Sequence, residues 1–237
     1  MIDLIAFDAD DTLWHNESLY QATAARLEEI LAPYNPDGRV QAELFQTEMH
    51  NLGTYGYGLK SFGLSMIETA IRLSAGRVRG DEIQQIIDLV QGMVRTPVQL
   101  LDGVAEVVAE LAASHRLMLI TKGDLLDQER KLDQSGLAAH FCHVEIVSHK
   151  NAEVYRRLLA QFGVEPQRFL MVGNSLKSDV LPVVEIGGRA VHIPYHTTWA
   201  HEAVDLPQNL PKGFVELADI SLLPPFVAQL GEQESEL

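Results

Sequence analysis

Strand-length apolar runs that alternate with helix-length amphipathic segments restrict this chain to one kind of architecture. Apolar or β-rich runs fall at residues 4–7, 117–120, 144–147, 169–172 and 190–193, and helix-length segments separate the last four. Within 102–113 and 151–162 apolar residues recur at helical spacing, as with Val104, Val107, Val108 and Leu111, and Asp102 and Asn151 are suited to cap the two helices. Strands joined through helices need right-handed crossovers, so they form a parallel sheet, and ligands bind in the crevice at the carboxyl ends of its strands. The expected fold class is α/β, with a Rossmann-like parallel sheet core.

Between Trp14 and Pro97 the strand signal vanishes, and helical patterns take its place at 20–31, 40–49, 62–73 and 81–94. Residues 1–15 and 97–237 are thus expected to build the core, and 16–96 a helical insert joined to it by two linkers. A length of 237 residues, against roughly 150 per domain, suits two unequal units. The terminal residues 231–237 read as a frayed acidic tail.

Charge narrows the partners. A net charge of -15 opposes binding to nucleic acid and to anionic membranes, both of which are neutralised by Lys and Arg. No apolar stretch approaches the roughly 18 residues of a membrane span, and Met1-Ile2-Asp3 leads into the first strand without a basic leader. One cysteine, Cys142, forms neither an internal disulfide nor a thiolate metal cage and is expected to be a buried strand residue. A cytoplasmic protein acting on small ligands is the expectation, with oligomeric state undetermined.

Polar clusters sit where the strands end. The first run stops on Asp8-Ala9-Asp10-Asp11-Thr12, and residues two apart on an extended chain share a face, so Asp8 and Asp10 reach one small ligand if the chain stays extended. The second run ends in Thr121-Lys122-Gly123, the third is followed by Lys150, and the fourth closes on Gly173-Asn174-Ser175-Leu176-Lys177-Ser178-Asp179. Alone, the first cluster also fits a solvated turn, and Thr-Lys-Gly an ordinary one. Their order along the chain gives them weight.

That order resembles the haloacid dehalogenase (HAD) superfamily: Asp-x-Asp-x-Thr, a Thr-containing second motif, a lysine opening a helix, and a variant of Gly-Asp-x-x-x-x-Asp. The resemblance covers most of the chain outside the insert, which is similar to the helical C1-type cap. It implies that Asp8 is the nucleophile, forming an aspartyl-phosphate, and that Asp10 is the general acid and base. It further implies that Thr121, Lys122 and Gly123 hold the phosphoryl oxygens, and that Lys150 balances the charge of nucleophile and phosphoryl group. Thr12 would tie the turn to the backbone, and Asp11 would cap it. Mg2+ would be held by Asp8, the Asp10 carbonyl and Asp179, with Asn174 a ligand or an orienter of water. Two departures stand out: Asn174 replaces the usual carboxylate, and Asn151 follows the lysine where many relatives have proline.

The resemblance implies a Mg2+-dependent hydrolase of small phosphate monoesters, with phosphorylated metabolites as partners and a lid that excludes polymers. A 2-haloacid dehalogenase, supported by Asn174 and opposed by Asp10, is the second reading, and a catalytically weak binding protein of the same fold the third. In the insert, Tyr57 and Lys60 of the Gly-rich stretch 53–62 are candidates for substrate contact, or else the stretch simply joins two helices. His15 lies beside the first motif, while His192, His196 and His201 have spacing that argues against zinc.

Overall fold

The computed structural model describes residues 2–35, 37–202, 204 and 213–235. The chain divides into two compact units: Met1–His15, Val98–Thr121 and Lys131–Leu237 form one, and Asn16–Pro97 with Lys122–Arg130 the other.

The first unit holds a six-stranded sheet. Its strands are β1 (Leu4–Phe7), β2 (Arg116–Lys122), β3 (His143–Val147), β4 (Phe169–Gly173), β5 (Arg189–His192) and β6 (Phe214–Glu216), in the order β3-β2-β1-β4-β5-β6. β1 runs parallel to both β2 and β4, with Phe7 level with Leu119 on one side and Val172 on the other. Alternation sends residues to two faces. Ile5, Phe7, Leu117, Leu119, Leu170 and Val172 pack in one apolar cluster, and Leu4, Ala6, Met118, Ile120, Phe169 and Met171 in another. These strands are buried on both sides, which is why they read as unbroken apolar runs.

In the second unit, α1 (Glu17–Leu31), α2 (Val40–Tyr55), α3 (Leu59–Leu73) and α4 (Gly80–Arg95) bury Leu27, Leu44, Phe62, Met66, Ile86 and Met93 among themselves. A polar seam accompanies them: Asn51 donates to Ser65 Oγ at 3.1 Å and Thr69 to Thr47 Oγ1 at 3.0 Å. α2 continues to Tyr55, six residues beyond its apolar pattern, so the stretch 53–62 is mostly helix and only Gly56, Tyr57 and Gly58 join α2 to α3.

Back in the first unit, α5 (Val104–Ala112) sets Val104, Val107, Val108 and Leu111 against the first cluster. Its N-cap is Gly103 in the left-handed conformation, not Asp102, because the turn before the helix requires a positive φ of 77°. α6 (Leu125–Ser135) follows β2, with its residues from Lys131 onward in this unit, and α7 (Ala152–Phe162) is capped by Asn151 as expected, its side chain accepting from the Val154 N–H at 2.9 Å. After β4 a π-helical turn, Leu176–Val180, leads into the short α8 (Leu181–Glu185). α9 (Leu223–Ser235) reaches well into the segment expected to fray, and residues 236–237 lie outside the described chain. Cys142 is exposed and precedes β3 rather than lying buried within a strand. No helix of the described residues is long and apolar enough to cross a membrane.

Candidate active site

Asp8 stands one residue past the end of β1, and its N–H donates to the Val172 carbonyl at 2.9 Å, fixing the turn to β4. The Lys150 ammonium, between β3 and α7, donates to Asp8 Oδ1 and, at 2.8 Å, to Asp179 Oδ1. All three residues are buried. Asp179 is aimed by the π-helical turn: the Ser175 N–H donates to its Oδ2 at 3.0 Å, and the Ser175 hydroxyl accepts from the Ser178 N–H at 3.0 Å. Tyr155 of α7 lies fully buried and donates to the Ser178 carbonyl at 3.0 Å.

Two buried carboxylates around one ammonium form a strongly coupled set. Burial, the largest influence, raises the Asp8 carboxyl to about 7, with Lys150 opposing and Asp179 reinforcing the rise. Burial also acts to lower the Lys150 ammonium, but Asp179 and Asp8 outweigh it and hold the group above its ordinary value. The Tyr155 phenol is driven well upward by burial and by Asp179, Asp8 and Glu202, so it remains neutral.

Thr12 ties the turn to the backbone of the fourth motif as well as to two side chains. Its hydroxyl lies 3.1 Å from Asp8 Oδ2 and 3.3 Å from Asn174 Oδ1 as donor, and accepts from the Asn174 N–H at 3.1 Å. It therefore links the nucleophile candidate to the fourth motif. Asp11 takes a positive φ of 62° and its N–H donates to the Trp14 carbonyl at 2.8 Å, consistent with a turn position.

Asp10 is placed otherwise than an extended chain implies. Its Oδ1 accepts from Trp14 Nε1 at 2.7 Å and from Lys131 Nζ at 2.9 Å, with Lys131 also 3.2 Å from Oδ2. The strand has ended at Phe7 and the chain has turned, but Asp10 remains near enough for its charge to add to the rise of the Asp8 carboxyl. Sequence reasoning missed Lys131 because a lysine on an amphipathic helix ordinarily reads as solvated.

Thr121 is buried near the end of β2. Lys122 and Gly123 belong to the second unit, where the Lys122 ammonium sits 4.6 Å above the Tyr57 ring and Lys60 pairs with Asp124 at 2.9 Å. Gly123 has a φ of 144°, and a Cβ there would meet Gln128 Nε2 at 2.7 Å, so it is a position for glycine. His15 Nδ1 lies 2.7 Å from the Tyr195 hydroxyl. The three histidines weighed for zinc have different partners: His192 Nε2 donates to the Asn174 carbonyl at 3.0 Å, His196 stacks on Tyr195, and His201 accepts through its carbonyl from Lys177.

Among the described residues no three His, Cys, Asp or Glu side chains gather as a metal-binding group. The donors present are the Asp8 and Asp179 carboxylates and the Asn174 amide oxygen, joined through Lys150 and Thr12. An all-oxygen set with two carboxylates suits a hard cation that keeps several waters, as Mg2+ does.

Residues 2–187 match the family model of the haloacid dehalogenase-like hydrolases. A haloacid dehalogenase-like family hydrolase from Xanthomonas campestris is 41% identical, with a TM-score of 0.88, over 99% of this chain and 94% of that one. A 2-haloacid dehalogenase from Pseudomonas syringae pv. Tomato is 22% identical, with a TM-score of 0.65, over 97% and 100% of the two chains. A predicted phosphoglycolate phosphatase from Haemophilus somnus is 18% identical, with a TM-score of 0.64, over 95% and 98%. The last two likenesses bear on the fold alone. No curated protein sequence matches the chain. With a parallel sheet that ends in the Asp8, Lys150 and Asp179 constellation and a family match over most of its length, this chain belongs to the haloacid dehalogenase-like hydrolases.

Proposed function

We propose that this hydrolase cleaves small phosphate monoesters, with Asp8 as nucleophile and Mg2+ as cofactor. The observation that carries the reading is the second acid of the first motif, Asp10, which is bonded to a lysine and a tryptophan in the same unit. An ester oxygen leaving phosphorus needs a proton, whereas a departing halide does not. An acid two residues beyond the nucleophile therefore favours phosphate over haloacid.

In this reading the Asp8 carboxylate attacks phosphorus as the P–O bond to the leaving oxygen breaks, and Asp10 gives that oxygen its proton. Asp10 then takes a proton from water, which attacks the aspartyl-phosphate and releases inorganic phosphate. Such acid and base assistance contributes about 10²- to 10⁴-fold. Lys150 lies against Asp8 Oδ1 and offsets charge that would otherwise oppose the approach of a phosphate dianion. Thr121 near the end of β2 would receive the phosphoryl oxygens. Mg2+, held by Asp8, the Asp10 carbonyl, Asp179 and Asn174, would neutralise phosphoryl charge when bound.

The test is a screen of phosphorylated metabolites and a generic aryl phosphate with Mg2+. Wild type should release phosphate and Asp8→Asn should not; no turnover across the panel by a folded wild type would remove the reading. One observation favours 2-haloacid dehalogenation instead, the amide at Asn174 where the family motif that the chain resembles has a carboxylate. Chloride release from 2-chloropropionate that persists with a chelator would establish that alternative.

A further inference from the structure

Lys131 is a lysine that the fold buries. Only 7% of the residue is exposed, although it sits on α6 one position before the core residue Leu132. Taking an ammonium out of water costs several kcal/mol unless it is paired. Its partner is Asp10, reached at 2.9 and 3.2 Å, and Oδ1 of the same carboxylate accepts at 2.7 Å from the indole of Trp14, which is wholly buried. Asp10 is therefore held by two buried donors on different elements, a helix and the turn itself.

We infer that Lys131 is the positioning residue of Asp10: with the Trp14 N–H it fixes where the acid stands, and so determines how well turnover tolerates a poor leaving group. The inference rests on the phosphatase reading. Lys131 touches Asp10 rather than the nucleophile, so its loss acts on the proton transferred to the departing oxygen and not on attack at phosphorus. Arginine, also cationic and multiply donating, preserves the grip in part. Trp14→Phe is the rougher probe, because it removes part of the ring together with the N–H at a wholly buried position, so its readout is the ratio between substrates and not the absolute rate.

The experiment compares p-nitrophenyl phosphate, whose phenolate leaves without a proton, with glycerol phosphate, whose alkoxide does not. Lys131→Met should lower kcat/KM for glycerol phosphate by about 100-fold and for the nitrophenyl ester by less than about 10-fold, within the range of acid–base contributions. Lys131→Arg should recover part of the difference, and Lys131→Met should add nothing in an Asp10→Asn background. Equal loss on both esters, or a further loss in the Asp10→Asn background, would mean that Lys131 only supports the fold. Should Lys131→Met fail to fold, Trp14→Phe makes the same comparison, with a selective loss on glycerol phosphate expected and an unchanged ratio overturning the idea. A wild type that cleaves neither these esters nor any other aryl or alkyl phosphate of the panel sinks the phosphatase reading itself, and this inference with it. A wild type that cleaves both with no split among the variants sinks the positioning role alone.

Discussion

The main chain at Gly173 lies flat against the carboxylate of Asp179, and a Cβ at that position would overlap Oδ2, Cγ and Cβ of the aspartate. The strand can come this close to the Asp179 side chain only because the residue is glycine. Gly173→Ala must push Asp179 out of its place between the Ser175 N–H and Lys150. A shift of about 1 Å at a reacting group lowers turnover by about 100-fold, and overpacking of this kind costs about 1–3 kcal/mol. Steady-state rates and thermal unfolding of the variant measure both, and wild-type rates would show that Asp179 needs no such backing.

Removing Lys150 exposes the other side of the same balance. Asp8 and Asp179 would then be two buried carboxylates without their shared ammonium. Breaking a buried pair in this way costs about 3–5 kcal/mol. Lys150→Met is expected to unfold at a lower temperature than wild type at pH 7.5, and the deficit should shrink as acid protonates the orphaned carboxylates. A deficit that stays constant with pH would assign the loss to packing rather than charge.

How much could be read in advance depended on whether burial leaves a mark on composition. β1, β2 and β4 are covered on both faces and announce themselves as apolar runs, whereas β6 is three residues long, with Val215 and Glu216 exposed, and gives no such pattern. Asp8, Lys150 and Asp179 were legible because each follows a readable strand by a few residues. The grip of Lys131 on Asp10 was not, since it joins positions 121 residues apart through a helix whose lysine looks like any solvated one. Thr12 likewise looked like a turn residue serving its neighbours, and only the third dimension shows its hydroxyl spanning Asp8 and Asn174.

Asn174 allows a metal test that does not depend on turnover. Its amide oxygen lies on the Thr12 hydroxyl that also contacts Asp8, so a carboxylate there would join Asp8 and Asp179 as a third negative group. Asn174→Asp should be less stable than wild type without divalent ions and should gain more in unfolding temperature as Mg2+ is added, because binding to the folded state stabilises it in proportion to affinity. Equal Mg2+-dependent shifts in the two proteins would remove Asn174 from the ligand set.

The helical unit carries a titration of its own at Glu48 on α2. Burial raises its carboxyl from 4.5 to about 7, and Glu17 adds to the rise. The folded chain thus keeps this proton to about pH 7, while the unfolded chain releases it near 4.5. Stability from the group is complete below pH 4.5, is lost as pH rises toward 7, and changes little above that. Glu48→Gln cannot ionise, so it should match wild type near pH 4 and exceed it at pH 8. The gain is at most about 3 kcal/mol at about 1.4 kcal/mol for each tenfold change in proton affinity, or several degrees in unfolding temperature for a chain of this size. Thermal unfolding at the two pH values decides it: an advantage equal at both would mean that the glutamine packs better, and no advantage at pH 8 would mean that the ionised carboxylate finds water within the folded unit.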